Sequence, residues 1–395
     1  MSRVHPRRAG RLKGATVVLI AVMLPVIIGG MALSVDTAVI ATARAQLSTV
    51  ADAAALAGAR KLITANRLKG FDLSSEDRTA AHDEAIAAAG RNKVLGTSAL
   101  LLPNVSNANT GSEDVVIGYL AKPTDQAEPV STSDSRYANT VQVTARRDAW
   151  HSGVVPSFFS KIWGGNPRGM SVTSAATVKG LVGFRRVDVS LPANLLPIVL
   201  DQATYKQMLL NDPTKTTDDY AYNSASNTVT KGSDGIHESM LFPVAAGLPG
   251  NWGAVNIGVK SNSTSVLGDQ IRNGISPAQL ATFAGGKLEL DQTLSPPSIT
   301  FSGDPGISAG IKDDLKEIIG KAVYIPIYDH SGGNGNNASY RVVAFAPVRV
   351  LEVDLKGGDK YVIVQKAKVP ESPTEVWGGV KSWPPDQEYR LSLSR

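Results

Sequence analysis

The sequence predicts an α+β protein with a single N-terminal transmembrane helix that continues into a long alanine-rich helix. That helix should pack on a small antiparallel sheet, and a mostly β domain should follow. Three observations lead to this prediction. Residues 15–35 are uncharged and largely apolar, residues 36–60 are rich in alanine and contain no proline, and strand-like alternation between Gly- and Asn-rich loops dominates the remainder.

The apolar stretch has the length of a membrane span. At 1.5 Å per residue, a helix over residues 15–35 is about 31 Å long, which matches the hydrocarbon core of a bilayer. A cleaved secretory signal is the alternative interpretation, but the apolar core of such a signal usually has only about 7–15 residues. The sequence therefore favours a permanent anchor.

A basic leader sets the expected orientation of this anchor. Residues 1–14 contain no acid and carry cations at Arg3, Arg7, Arg8, Arg11 and Lys13. Cations that flank a span stay on the cytoplasmic side of the membrane. We therefore expect a single-pass protein of the cell (inner) membrane, with a cytoplasmic N-terminus and with the bulk of the chain outside the cytoplasm, in the periplasm.

Two residues of the span region have expected roles. Pro25 lies in the middle of the apolar stretch, where its missing N–H removes a helix hydrogen bond and predicts a kink. Asp36 closes the stretch, and we expect its carboxylate to be solvated at the level of the outer headgroups. Its expected role is to end the span, and ion pairing with a partner protein is the alternative.

The alanine-rich helix carries a narrow seam of small and apolar side chains. They recur at 4-3-4-3 spacing, which places them on one face of a helix. The members are Ala43, Leu47, Val50, Ala54 and Ala57, and Gly58 forms a small-xxx-small pair with Ala54. Two interpretations stay open: the seam packs against partner subunits, self-association included, or it docks on the globular part of the same chain.

Composition excludes several classes of protein. The chain has 40 Lys and Arg against 35 Asp and Glu, and the five cations of the leader account for the whole excess. A nucleic-acid-binding domain needs clustered cations on its folded part, so this class of partner is excluded. The chain has no cysteine, which excludes disulfides and thiolate metal sites.

The elements after the long helix follow from capping and alternation. Ser74 or Ser75 should N-cap a second helix with Glu76 and Asp77 in its first turn. Strands of the first sheet are predicted over residues 115–120, 140–147 and 171–179. We place a domain boundary after residue 182, so that residues 36–182 form the helix-plus-sheet domain and residues 183–395 the mostly β domain. In that later domain we expect strands at 251–259, 322–328, 341–354 and 361–369 and a helix at 310–319.

Motifs for chemistry are weak throughout the chain. The five histidines are not at metal-ligand spacing, and neither a nucleophile elbow nor a phosphate-binding loop occurs. Asp304 lies in a Gly-Asp-Pro-Gly turn, for which calcium ligation is a distant second interpretation. The sequence therefore predicts a protein that is not an enzyme, without catalytic residues, cofactor, metal site or small-molecule substrate.

Trp252 is the most informative aromatic residue beyond the long helix. It lies in a stretch with four glycines, residues 247–258, which could present the indole on a surface as an interaction site. The alternative, which we favour, is that the indole fills the core beneath a glycine-rich turn.

The N-terminal run resembles a known family. A Gly14-Ala15 start, Pro25 within the span, Asp36 just beyond it and a closing Ala-Asp-Ala-Ala-Ala-Leu-Ala-Gly-Ala signature at residues 51–59 occur together. This combination resembles the TadE/TadG-like proteins of the Flp (tight adherence, Tad) pilus assembly system. Residues 79–93 resemble the second helix of that family, and residues 139–179, with Val155-Pro156-Ser157-Phe158-Phe159, resemble its strands and "PxFF" stretch.

The resemblance implies a pilin-like plan of helix on sheet, and a function without chemistry. It implies a membrane-anchored component of pilus assembly that acts through helix packing, with inner-membrane and pilus-assembly proteins as partners. Pilin-like members carry a glutamate five residues after a Gly-Ala cleavage point, where this chain has Leu19, so processing between Gly14 and Ala15 is disfavoured. The chain is therefore more similar to the larger TadG-like members than to the small pilins.

Two other functions stay open. One is a processed minor pilin or adhesin that is exported into the fibre, and the other is an envelope binding protein unrelated to pili.

Some TadG-like proteins also carry a metal-binding von Willebrand A domain with an Asp-x-Ser-x-Ser motif. Asp188 and Ser190 fit that spacing, but Pro192 replaces the second serine, and a second start at Asp201 lacks the first serine.

Overall fold

The computed structural model describes most of the chain after the leader. The described residues are 13–68, 72–102, 113–123, 125, 127–133, 135–156, 159, 167, 169–242, 252–260, 263–304, 308–333, 338–357, 360–379 and 389–394, without the side chains of 13–16, 65 and 68. The predicted orientation residues Arg7, Arg8 and Arg11 therefore lie outside them.

One long helix, α1 (Lys13–Lys61), opens the described chain. Its 49 residues correspond to about 73 Å at 1.5 Å per residue. The predicted span and the alanine-rich segment are thus one continuous helix, which runs through Pro25 without ending there. Among the described residues, α1 is the one helix that is long and apolar enough to cross a membrane.

Two further helices follow, α2 (Ala65–Leu68) and α3 (Ser75–Gly90). The start of α3 is a capping box: the Ser74 hydroxyl accepts a hydrogen bond from the Asp77 N–H, and the Asp77 carboxylate accepts one from the Ser74 N–H. The predicted capping is confirmed. α3 runs back along α1, since Glu84 lies 3.7 Å from Lys61 and the chain after α3 meets Gln46 through the Leu95 N–H.

The first sheet lies against these helices. A short hairpin, β1 (Lys93–Val94) and β2 (Thr97–Ser98), comes before it, and the first strands of the sheet are β3 (Val115–Gly118), β4 (Thr140–Arg147) and β5 (Met170–Arg185). β1 pairs only with β2 among the described residues, whereas β4 pairs antiparallel with both β3 and β5. Val141, Val143 and Ala145 of β4 point into a core shared with α1 and α3, as the alternation of β4 predicts.

The remaining elements supply a second sheet, a separate two-stranded sheet, three further strands of the first sheet and several helices. They are β6 (Ile198–Asp201), α4 (Gln202–Leu209), β7 (Tyr220–Asn223), β8 (Thr228–Lys231), β9 (Glu238–Leu241), β10 (Trp252–Val255), α5 (Thr264–Asn273), α6 (Pro277–Leu280), β11 (Lys287–Glu289), β12 (Ile299–Asp304), α7 (Lys312–Lys316), β13 (Ala322–Gly332), β14 (Ala338–Asp354), β15 (Tyr361–Lys366), β16 (Glu375–Gly378) and β17 (Tyr389–Leu393). The second sheet has the order β12-β10-β6-β13-β14-β15-β9. Because β12 also pairs with β14, five of its strands close into a ring, which removes their free edges.

The expected domain boundary lies inside a strand. β5 continues past residue 182 to Arg185, and its second half pairs with β11 and β16. β17, near the end of the chain, pairs with β5 between Ala176 and Gly180. The first sheet is therefore completed by strands that come from the later part of the sequence.

The later part is mostly β, as predicted, but richer in helix than expected. α4 and α5 were not expected from the sequence, and the predicted helix at 310–319 is a 3₁₀ turn, Ala309–Ile311, followed by the short α7. The predicted strand at 251–259 is shorter in the structure, Trp252–Val255. The predicted strands at 322–328 and 341–354 are both longer, because they pair with each other as β13 and β14.

Candidate functional site

The first part of α1 presents an apolar surface that the rest of the described chain leaves uncovered. The exposed large side chains are Val17, Val18, Leu19, Ile20, Val22, Met23, Leu24, Val26, Ile27, Ile28, Met31, Leu33 and Val35. Ala32 and Asp36 are instead buried. The predicted processing residues Gly14 and Ala15 belong to the first turn of α1, next to Lys13.

Asp36 is held inside the protein at the end of this apolar surface. Asp36 is only 5% exposed. Its carboxylate accepts a hydrogen bond from the Phe159 N–H, whose nitrogen lies 3.1 Å from one carboxylate oxygen and 3.3 Å from the other. The expectation of a solvated carboxylate is therefore wrong, because the segment that follows β4 folds down onto α1 at this point. Asp36 joins the end of the apolar stretch to the Val155–Phe159 motif.

The predicted packing seam is used within the chain. Leu47, Val50 and Ala54 are fully buried in the core formed with α3 and the first sheet, and Ala57 packs at its edge. A Cβ built on Gly58 would lie 2.9 Å from the Ala81 carbonyl oxygen and 3.1 Å from side-chain carbons of Ala85 and Val141. Of the two interpretations of the seam, the structure shows docking on the globular part of the same chain.

A charged cluster that was not predicted from the sequence holds the chain after β4. The His151 ring has Nδ1 2.7 Å from Asp148 Oδ1 and Nε2 2.9 Å from Asp114 Oδ2. Arg146 Nη1 lies 3.2 Å from the other oxygen of Asp114. The His151 hydrogen bond is the main reason why the pKa of the Asp148 carboxyl lies below its usual range.

This cluster fixes a turn, and its geometry argues for a structural role. The Asp148 carboxylate also accepts hydrogen bonds from the Trp150 and His151 N–H groups, which closes a tight turn after β4. Asp148 and His151 are three residues apart and could have indicated the turn, but Asp114 is distant in sequence and carries no local signal.

Trp252 lies in the core. The residue is 2% exposed, and it sits on β10 opposite Leu200 of β6. The interpretation of Trp252 as a surface interaction site is therefore wrong. β10 is an inner strand of the second sheet, and the Trp252 indole packs into the core. The glycine-rich residues 247–251 lie outside the described part of the chain.

A cleft of about 510 Å³ opens in the later part of the chain. Its lining includes the cations Arg272, Lys321, Arg349 and Lys368. The Arg349 guanidinium lies 3.3 Å from the centroid of the Tyr222 ring, so one of these cations is held in place by a cation–π contact. Cationic walls of this kind favour an anionic group over a cationic one.

Among the residues considered for metal binding, Asp201 uses its carboxylate in another role. Asp201 N-caps α4, where its Oδ2 accepts hydrogen bonds from the Thr204 N–H and hydroxyl. The Asp304 carbonyl accepts a hydrogen bond from the Tyr340 hydroxyl, and Asp188 is exposed. Among the described residues, three or more His, Asp or Glu side chains do not converge anywhere in an arrangement that could hold a metal ion.

Two family models match the N-terminal part of the chain. A Flp pilus-assembly TadE/G-like model matches residues 14–61, and a Tad-like Flp pilus-assembly model matches residues 57–176. Searches of curated proteins and of solved structures found no match. The matched range contains α1, α3, the first strands of the first sheet, Asp36 and the Val155–Phe159 motif.

Proposed function

The chain is TadE/TadG-like over residues 14–176, and from this premise we propose that it is a membrane-anchored, non-enzymatic component of Flp pilus assembly that works through helix packing and protein–protein contacts. The families support a role related to the Flp/Tad pilus, and the single apolar helix supports a single-pass anchor. The anchored state, the mechanism and the partners are the parts that we propose.

The continuity of α1 carries this proposal. The first part of the helix exposes large apolar side chains, and the second part, from Ala43 to Leu62, supplies the core of the first sheet. A helix without a break transmits position and tilt directly from the membrane to the folded part. The protein would therefore present its extracytoplasmic sheet at a fixed distance and angle, as a scaffold for assembly requires.

The orientation follows from the basic leader. The four cations nearest the span would hold the N-terminus on the cytoplasmic side of the inner membrane. They are Arg7, Arg8, Arg11 and Lys13. The sheets would then lie on the outer, periplasmic side. In spheroplasts we expect added protease to cleave the folded part and to leave the N-terminus intact.

Partner helices would contact the span. The seam from Leu47 to Gly58 is used inside the chain, which leaves the exposed face of α1 before Asp36 for other subunits or for a second copy. Gly30 is exposed there, and a Cβ built on it meets nothing within 4 Å. Small residues of this kind let transmembrane helices approach closely.

The test is a strain that lacks this protein. We expect loss of Flp-type pili and of surface adherence, with both restored by the full chain. A second strain, complemented with a chain whose α1 is replaced before Asp36 by a cleavable secretory signal, separates anchoring from mere export. Normal piliation in the deletion strain would overturn the role in pilus assembly, and full rescue by the released chain would overturn the anchor.

The processed minor pilin remains the second candidate, because Gly14 and Ala15 stand where that family's cleavage point would be. Intact mass and N-terminal sequencing of the membrane fraction and of sheared surface material distinguish the two. We expect an unprocessed chain, with or without Met1, confined to the membrane. A chain that begins at Ala15 in the sheared fraction would establish the pilin instead.

A further inference from the structure

We propose that the end of the first sheet nearest the span rests on the outer surface of the bilayer through four exposed apolar residues, Leu100, Leu102, Trp150 and Val154. We call this set the lipid-facing patch. The inference rests on the proposed membrane anchoring of α1 and adds a second, peripheral contact between the folded part and the lipid.

Hydrogen bonds to α1 show how far this part of the chain lies from the apolar stretch, measured along the helix. Leu95 N donates to Gln46 Oε1 at 2.7 Å, and Arg147 Nη1 donates to the Val94 carbonyl at 3.0 Å, so the end of β4 lies level with Gln46. Phe159 N donates to Asp36, which directly follows the apolar stretch. Asp36 and Gln46 are ten positions apart in α1, which corresponds to about 15 Å along the helix. Arg147 and Phe159, on either side of the segment that follows β4, therefore lie about 15 Å apart along the axis of α1, with Phe159 nearer the apolar stretch.

The second segment of the patch lies beside this descending chain. Ser152 Oγ donates a hydrogen bond to the Ser98 carbonyl at 2.9 Å. Leu102 N donates to Asp114 Oδ2 at 2.9 Å, the same oxygen that meets the His151 ring. Leu100 and Leu102 are thus held next to the turn that carries Trp150, at the same end of the sheet.

The four side chains of the patch are exposed to solvent, and Trp150 is exposed most of all. Trp150 is 79% exposed, and Leu100, Leu102 and Val154 are 45%, 40% and 37% exposed. Among the described residues that follow α1, Trp150 has the largest exposed fraction of any large apolar side chain. A group of large apolar residues in contact with water marks an interaction surface.

The reach of Trp150 fits the headgroup layer. Trp150 lies three residues beyond Arg147, in the turn that follows β4, so its Cα is at most about 10 Å from that of Arg147. The headgroup and interfacial layer occupies about 5–8 Å on each side of the hydrocarbon core. Within this limit, and with the length of the indole added, the ring can reach this layer, where tryptophan is enriched because it has an apolar body and a polar N–H.

The turn is rigid enough to hold the patch in place. His151 is 5% exposed and lies between Asp148 and Asp114, and the Trp150 N–H is fixed on Asp148. The patch belongs to the same packed domain as α1, and α1 would hold that domain at the bilayer. This continuity favours the lipid surface as the partner that covers the patch. A protein partner on the same patch is the alternative that the experiment must separate.

The experiment measures quenching of tryptophan fluorescence by brominated lipid. The full chain is reconstituted into vesicles of phosphatidylethanolamine and phosphatidylglycerol, with and without 6,7-dibromo-phosphatidylcholine. All variants carry Trp163→Phe and Trp383→Phe, because both residues lie outside the described part of the chain. We expect bromolipid to quench part of the emission of this parent, and Trp150→Phe to abolish most of that quenchable part.

Trp377→Phe is the matched control. Trp377 pairs with Leu181 on β5, which lies eleven residues, or about 36 Å along the strand, beyond the Met170–Arg147 pair at the end of the sheet near the patch. Its removal should lower total emission but leave the quenched amplitude unchanged. Vesicle flotation is measured on each sample, so that failure of the anchor appears as loss of flotation. Quenching that is equal with and without Trp150 in floating samples would overturn the lipid-facing patch while leaving the anchor intact.

Discussion

The Asp36 carboxylate accepts a hydrogen bond from the backbone N–H of Phe159, at distances of 3.1 and 3.3 Å to its two oxygens. The two residues are 123 positions apart. Each belongs to a separate feature that resembles the Tad family, the aspartate after the span and the "PxFF" stretch. The contact joins the two features directly: the acid holds the Phe159 backbone, and with it the segment after β4, at the end of the apolar stretch of α1.

Removing this contact should loosen the segment around Phe159. We expect Asp36→Ala to cost about 1–3 kcal/mol, because an N–H at a partly buried site loses a charged acceptor. Asp36→Asn keeps one acceptor oxygen and should cost less. The measurement is the thermal midpoint of the full chain in detergent, together with hydrogen exchange of the Phe159 amide.

Asp83→Asn is the matched control for this prediction. The side chain of Asp83 on α3 is 69% exposed, so this change should stay within about 0.5 kcal/mol. If Asp36→Ala and Asp83→Asn had equal midpoints and the Phe159 amide were equally protected, the contact would not stabilise the protein.

Sequence patterns were sufficient where structure is local. α1 follows from composition, the start of α3 from the Ser74–Asp77 capping box, and β4 from alternation that the structure reproduces over Thr140–Arg147. The helix α4 was missed although its cap was visible. Asp201 was weighed as a metal ligand, whereas the structure uses it as an N-cap, a role that needs only the next three residues.

Long-range pairing was not predictable from the sequence. The extension of β5 to Arg185 depends on β11 and β16, which lie some 100 to 200 residues later in the chain. Sequence alternation cannot show that β17 returns to β5, because the pairing requires the intervening domain to fold back. The His151 cluster was missed for the same reason, since Asp114 is 37 residues from His151.

Glu375 should hold the returning end of the chain in place. Its carboxylate accepts hydrogen bonds from Arg390 Nη2 at 2.9 Å, from Trp377 Nε1 at 3.2 Å and from the Tyr324 hydroxyl at 3.2 Å. Burial raises the pKa of Glu375, so the ionised form depends on these donors. We expect Glu375→Ala to cost about 3–5 kcal/mol and Glu375→Gln to cost less, because the amide still accepts on one side.

Glu371 offers a control on the same cation. It lies 3.4 Å from Arg390, but its side chain is 76% exposed, so Glu371→Ala should change stability by at most about 1 kcal/mol. Limited proteolysis reports on β17 directly: cleavage before Tyr389 should accelerate in Glu375→Ala alone. Equal cleavage rates in the two alanine variants would show that Glu375 does not secure β17.

Acid should weaken the turn that carries Trp150. The hydrogen bond from His151 lowers the pKa of Asp148 below its usual range. A depressed carboxyl pKa contributes stability that is present above the unfolded value, about 3.9, and is lost as the pH falls through the folded pKa. We therefore expect the thermal midpoint of the wild type to fall more steeply below about pH 4 than that of Asp148→Asn. Parallel midpoint curves from pH 6 to pH 2 would contradict this linkage.

Substitutions at two glycines of α1 test internal packing and contact with partners separately. Replacing a helical glycine by alanine stabilises a helix by about 0.5–1 kcal/mol where space is free. A Cβ on Gly58 lies 2.9 Å from the Ala81 carbonyl, whereas a Cβ on Gly30 has no neighbour within 4 Å. We expect Gly58→Ala to destabilise the protein and Gly58→Leu to cost about 1–3 kcal/mol or more.

Gly30→Leu should instead leave the fold intact and affect only assembly. Since a Cβ at this position meets no atom within 4 Å in the described chain, the thermal midpoint of the Gly30→Leu variant should equal that of the wild type. If partner helices approach the span at this position, a leucine would hold them apart, and piliation and adherence should fall although the protein is present in the membrane at normal amounts. Piliation at wild-type level in the Gly30→Leu strain would place the partner contact elsewhere on α1, and a lowered midpoint would show that Gly30 packs within the protein itself.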